Sequence, residues 1–157
     1  MKINLPAIII TSIAAYAIPK FFGAKKFVDQ LKVELKSISI DTELIKKSGF
    51  KSLFWNVNLV IINPVNFSVV VDSIFMDIYF NNQLFAKANT IKKYKIEAKK
   101  KIIIPVLVGT EIASLPQSVF NAYTDASQNN NLDLLVKGKL NFKDASIKFN
   151  FTKSLNE

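Results

Sequence analysis

Leu53-Phe-Trp-Asn-Val-Asn-Leu-Val-Ile-Ile62 and Ser68-Val-Val-Val-Asp-Ser-Ile-Phe-Met-Asp-Ile-Tyr-Phe80 are two long apolar runs that meet around Asn63-Pro64. In the first, Leu53, Trp55, Val57, Leu59 and Ile61 share one face and Asn56 and Asn58 the other, the period-two pattern of a half-buried strand. Pro64 has no N–H to give a ladder and biases Asn63 toward extended backbone, so pairing must end there. The second run reads as one strand with Ile74, Met76, Ile78 and Phe80 inward. Asp72 and Asp77 cannot share a face at period two, which predicts a bulge between them.

Working outward, Leu31, Val33 and Leu35 alternate with charged residues, and the apolar phase then shifts to Ile38 and Ile40, a first strand with a bulge near Ser37. Asp41 to Gly49 predicts a connection with a short helical turn that Gly49 ends. Asn81-Asn82-Gln83 is a hairpin turn by composition, with Leu84 to Ala88 returning. Lys101 to Val108 is a strand in which Pro105 demands an edge or a bulge. Ile112, Leu115, Val119 and Tyr123 fall at helical spacing within Gly109 to Ser127 and predict one helix there. Leu132, Leu134, Val136, Leu140 and Phe142 alternate, and after a turn at Lys143-Asp144 they are answered by Ile147, Phe149 and Phe151. Successive strands with short turns and one helix describe a mainly-β, two-layer antiparallel sandwich.

The 157 residues allow one such domain plus a tail, and the formal net charge is +9. All 21 basic residues are lysine, and histidine and cysteine are absent. This excludes Ser-His-Asp and Cys-His nucleophile systems, zinc sites of the usual ligands, and imidazole proton shuttles. No cofactor is expected.

Residues 1–26 form a separate segment and 27–157 the domain. Ile3 to Gly23 as a helix would span about 30 Å, one hydrocarbon thickness. Ile8, Ile9, Ile10, Ile13 and Tyr16 would face lipid, with Phe21 and Phe22 at the interface beside Lys25 and Lys26. A cleaved signal peptide using Ala15-Tyr-Ala17 is the competing reading; the expectation adopted is a retained single-pass transmembrane helix. Lys2 against Lys20, Lys25 and Lys26 leaves the sidedness open.

From about Val33 to Lys153 the order of features resembles the LEA-type 2 (water-stress and hypersensitive-response) domain. The shared features are a lead strand, a long strand ending in Asn63-Pro64, a hairpin at Asn81-Asn82, Ile96-Glu-Ala before Ile102-Ile-Ile-Pro-Val-Leu-Val108, a helix, and a closing hairpin through Gly138. The sequence departs from the family where glycines are usual, with Asn82 in the turn and Ala88 or Asn89 after it. The resemblance implies a fibronectin type III-like sandwich without catalytic residues. It also implies a link to desiccation and stress protection, in bacteria and archaea sometimes on membrane-anchored chains.

Lys92, Lys93, Lys95, Lys99, Lys100 and Lys101 concentrate charge, with Glu97 alone opposing. They read either as gatekeepers beside the apolar Ile102 to Val108 or as a contact for anionic lipid or an acidic protein face. Nucleic acid is the least favoured partner, since arginine forks and a recognition motif are missing. Asp72 with Asp77, and Asp125 with Asp133, fit neither a calcium loop nor a glycosidase pair and read as solvent-face charges. Phe54, Trp55, Phe75 and Tyr79 read as strand aromatics rather than a ligand pocket, with Phe75 and Tyr79 opposite the core face. The expectation is a non-enzymatic membrane protein of a bacterial envelope. The alternative is a structural component of a larger assembly with protein partners, such as the internal membrane of a phage virion.

Overall fold

Alternation of apolar and polar side chains is realised most fully in β2 (Ser52–Ile62), where Trp55, Val57, Leu59 and Ile61 are buried and their neighbours partly exposed. The computed structural model describes residue 27, residues 29–129 and residues 132–154. β1 (Lys32–Ile40) pairs antiparallel with β2, and its register slips between Leu35 and Ser37, the bulge that the phase shift predicts. Between them α1 (Thr42–Lys47) is capped by Asp41, whose Oδ1 accepts from Leu44 N at 3.0 Å and whose Oδ2 accepts from Asn56 Nδ2 at 2.8 Å. These two hydrogen bonds, the backbone one first, hold the Asp41 carboxyl below its ordinary value.

The run from Ser68 to Phe80 is two strands and not one. β3 (Val69–Val71) and β4 (Ser73–Phe80) belong to different sheets, and Asp72 is the residue at which the chain changes partner. A switch of sheet solves the same parity conflict that predicts a bulge, because it reassigns inside and outside independently on either side of Asp72. Val69 and Val71 are buried before the break, and Ile74, Met76, Ile78 and Phe80 after it. At the hairpin to β5 (Gln83–Thr90), Asn81 and Asn82 both take positive φ, 48° and 60°. That is the backbone of a type I′ turn, which asparagine tolerates.

Residues β6 (Tyr94–Ile96) pair with β3 as a two-stranded ribbon. β7 (Lys101–Glu111) runs the full length of β2. Asn63 N to Lys100 O at one end of that ladder and Ile112 N to Lys51 O at the other fix its parity. Pro105, opposite Asn58, therefore turns its nitrogen away from β2, toward an edge where β5 pairs only at Lys87–Gly109. Its missing donor costs nothing there.

The predicted helix over Gly109 to Ser127 is shorter than its spacing suggests. β7 continues through Glu111, Ile112–Ser114 is a 3₁₀ turn, and α2 (Gln117–Gln128) begins after Pro116, whose carbonyl accepts from Val119 N and Phe120 N. Proline at the helix start gives up only a donor that would have no intrahelical partner. β8 (Asp133–Asn141) and β9 (Ser146–Ser154) form the closing hairpin.

The main sheet runs β1-β2-β7-β5-β4-β8-β9, every neighbour antiparallel. Its two halves, β1-β2-β7 and β5-β4-β8-β9, are joined by the single Lys87–Gly109 pair, and the sheet curls so that both contribute to one apolar core. The core ends in an aromatic cluster under α2. Trp55 meets Phe85 edge-on at 5.0 Å, and Phe85 stacks on Tyr123 at 4.7 Å. Phe85 is the extra residue of a bulge, since Ile78 pairs with Ala86 and Tyr79 with Leu84, and the bulge turns both Phe85 and Ala86 inward. Burial pushes the Tyr123 phenol up to about 12; the Trp55 indole N–H draws it down slightly from nearby without reaching hydrogen-bond geometry.

Candidate functional site

Asn63 is fully buried, the most enclosed polar side chain among the described residues. Its Nδ2 donates to Phe67 O at 2.9 Å, Ile96 O at 3.2 Å and Glu97 O at 3.1 Å, and its Oδ1 accepts from Val65 N at 3.2 Å. Only a primary amide supplies donor hydrogens and an acceptor together at this length. The side chain ties the β2–β3 loop to the β6–β7 loop, 33 and 34 residues away in sequence. Pro64 forces the exit from β2, and Asn63 pairs the backbone groups that the exit leaves unpaired.

The lysine cluster is the other half of this tie. Lys99 sits in the left-handed region at φ 59°, its backbone N donates to Val65 O at 3.1 Å, and its Nζ donates to Pro64 O. Lys100 N donates to Glu97 O, and Lys100 O accepts from Asn63 N at 2.9 Å. The two motifs, 28 residues apart in the chain at their nearest, therefore form one end of the molecule. Lys92 lies over the Tyr94 ring at 5.4 Å, Lys93 pairs with Asp72 at 3.5 Å, and Lys95 stands opposite Val70 on the outer face of the ribbon. All six lysines from Lys92 to Lys101 are exposed.

Phe27 packs at the same end. The Phe27 ring packs edge-on against Phe67 at 5.8 Å and Phe142 at 6.0 Å. These rings, with Val70, Lys93, Lys143 and Asp144, line an open groove of about 810 Å³. The expected anchor residues Ile8, Ile9, Ile10, Ile13, Tyr16, Phe21 and Phe22 lie outside the described residues. Among the described residues, no helix is long and apolar enough to cross a membrane.

The carboxylates are dispersed. Asp72 is engaged by Lys93, Asp77 stands opposite Lys87 and Lys137, and Asp133 accepts from Ser154 Oγ. No group of His, Cys, Asp and Glu among the described residues could hold a metal ion. The strand aromatics divide by face: Trp55 is fully buried, Phe75 is 44 % exposed, and Tyr79 carries Lys137 Nζ at 4.9 Å from its ring centre. Trp55 on the core face and Phe75 and Tyr79 on the outer face do not line one site. The part played by Phe27, Phe67, Val70 and Lys143 is not legible from period-two patterns, since loops and a sheet switch bring them together. An aromatic residue stranded between Asn-Pro and the next strand is the one signal that could have drawn attention to Phe67.

No known protein family matches the chain, and no curated protein matches it in sequence. Solved structures do resemble it. A protein from Archaeoglobus fulgidus matches at a TM-score of 0.50 and 11 % identity, over 78 % of this chain and 91 % of its own. AT1g01470 from Arabidopsis thaliana, determined in solution, matches at 0.51 and 15 % identity, over 94 % of this chain and 87 % of its own. Likeness at these identities concerns the fold alone.

Proposed function

We propose that this chain is a non-enzymatic β-sandwich of fibronectin type III-like, LEA-type 2 character, held at a membrane by an N-terminal helix and acting through surface contact. The observation that carries the reading is the convergence at one end of the domain. Phe27, which follows the apolar segment in the sequence, packs there against Phe67 and Phe142, and the lysine cluster lies at the same end. A domain tethered by its amino-terminal segment meets the headgroups with the end nearest the tether, and lysine is the side chain suited to that layer. The two structural likenesses over most of the chain support the fold part of the proposal.

Asn63-Pro64 serves in this reading as an architectural tie, with no chemistry of its own. Deleting residues 3–23 tests the anchor. The protein should change from needing detergent to dissolving freely, with the emission of the single tryptophan, Trp55, unchanged. A full-length protein that dissolves without detergent refutes it.

A further inference from the structure

We infer that the end of the domain carrying the β3–β6 ribbon lies flat on an anionic bilayer, with Phe67, Val70 and Ile91 in the headgroup layer and Lys92, Lys93, Lys95 and Lys143 around them. The inference rests on the membrane-anchored reading and adds to it an orientation and a specific contact face. Phe67, Val70 and Ile91 are 53 %, 41 % and 82 % exposed, a large apolar display for one small end of a domain. Exposed apolar side chains ringed by lysine mark an interfacial site, where the apolar groups enter the headgroup boundary and the ammonium groups meet phosphate.

The polarity of the molecule agrees. The opposite end, built from the α1 region, the end of β7 and α2, carries Asp41, Glu43, Glu111, Asp125 and Asp133 beside Lys46, Lys47 and Lys51. The ribbon end has Lys32, Lys92 to Lys101 and Lys143 against Asp29, Asp72, Glu97 and Asp144, and Asp72 is already engaged by Lys93. A negative surface therefore attracts the ribbon end more strongly than the other. The groove beside the ribbon is floored by Phe27, Phe67, Val70 and Phe142 and walled in part by Lys93 and Lys143. Phe27, the residue that follows the apolar segment in the sequence, is packed into this floor.

The chain has no cysteine, so a single introduced one is a unique label site. The full chain is reconstituted in phosphatidylcholine vesicles with and without phosphatidylglycerol. A nitroxide is placed at Val70→Cys or, at the far end, at Leu84→Cys, and its collisions with a water-soluble nickel complex are measured. On anionic vesicles at low salt the label at position 70 should be shielded several-fold relative to the label at 84. High salt or neutral lipid should expose it again. Lys92, Lys93, Lys95 and Lys143 changed to Gln should lower the docked-to-undocked ratio about fivefold per lysine. Lys99 is left intact because it bonds Pro64 O, and Trp55 emission reports that each variant is folded.

Equal accessibility at 70 and 84 on anionic vesicles overturns the inference. So does shielding that is indifferent to lipid charge and vanishes when the protein is diluted among vesicles, which would mean contact between copies. A wet label on protein that survives a salt wash sinks the docking face and leaves the anchor standing. A shielded label on protein that the wash removes does the reverse.

Discussion

Replacing Asn63 by alanine removes one small side chain and should cost more stability than any other single polar truncation in the domain. Four hydrogen bonds disappear, those to Phe67 O, Ile96 O, Glu97 O and from Val65 N. Ile96 O and Val65 N sit at buried bonds, where an unpaired group costs about 1–3 kcal/mol. Phe67 O and Glu97 O belong to exposed residues that water can reach, so their loss is smaller. The sum is about 2–6 kcal/mol, a large share of the roughly 5–15 kcal/mol that holds a domain together. Urea unfolding of the full chain in mild detergent, followed by Trp55 emission, should show a midpoint about 2 M lower with the slope unchanged. Asn58→Ala, which loses one half-buried bond to Ser37 Oγ at 2.8 Å, should cost only about 1 kcal/mol and serves as the control. If Asn63→Ala costs no more than Asn58→Ala, the tie between the two loops is not what stabilises this end, and the reasoning fails.

Gly138 faces the Phe149 ring so closely that an added Cβ would lie 2.2 Å from Phe149 Cζ and 2.7 Å from Phe75 O. Gly138→Ala should lower stability by about 1–3 kcal/mol by overpacking, and Phe149→Leu should restore only part of it because the backbone contact remains; thermal unfolding reads both. Tyr123 has a folded pKa of about 12 against 10.0 for the free phenol. Its stabilising contribution is complete below pH 10 and declines as pH rises toward 12, by about 2–3 kcal/mol. Tyr123→Phe should flatten that alkaline loss relative to the parent protein in a series of urea titrations. Equal alkaline slopes would show that the phenol is not held neutral by the core.

Strand identity was readable wherever one face is buried throughout. β2 declares itself through Trp55, Val57, Leu59 and Ile61, and the β1 bulge and the Asn81-Asn82 turn follow from a broken phase and from residues that accept positive φ. Asp72 was harder. A bulge and a change of sheet both resolve the same parity conflict, and only long-range pairing of Val69–Val71 with Tyr94–Ile96 decides between them. The helical spacing overreaches because Ile112 and Leu115 fit it while lying in the 3₁₀ turn and at its C-terminal cap, and Gly109 to Glu111 still belong to β7. Phe85 turned inward through a bulge that no local pattern announces.

The site divides in the same way. The sequence marks Asn63-Pro64 and the lysines separately, as a break and a charge run. That the Asn63 amide and the Lys99 ammonium close a single joint between them depends on folding across 30 or more residues. Phe67 and Val70 become a face only once the ribbon forms.

Membrane attachment is the claim on which the rest depends, and sequential extraction tests it most directly. Membranes containing the full-length protein are washed in high salt and then in nonionic detergent. The expected result is that the protein stays with the membrane through the salt wash and is released only by detergent, as a protein held by about 30 Å of apolar helix would be. Release by salt alone would show that lysine contacts are the whole attachment, and would contradict the anchor.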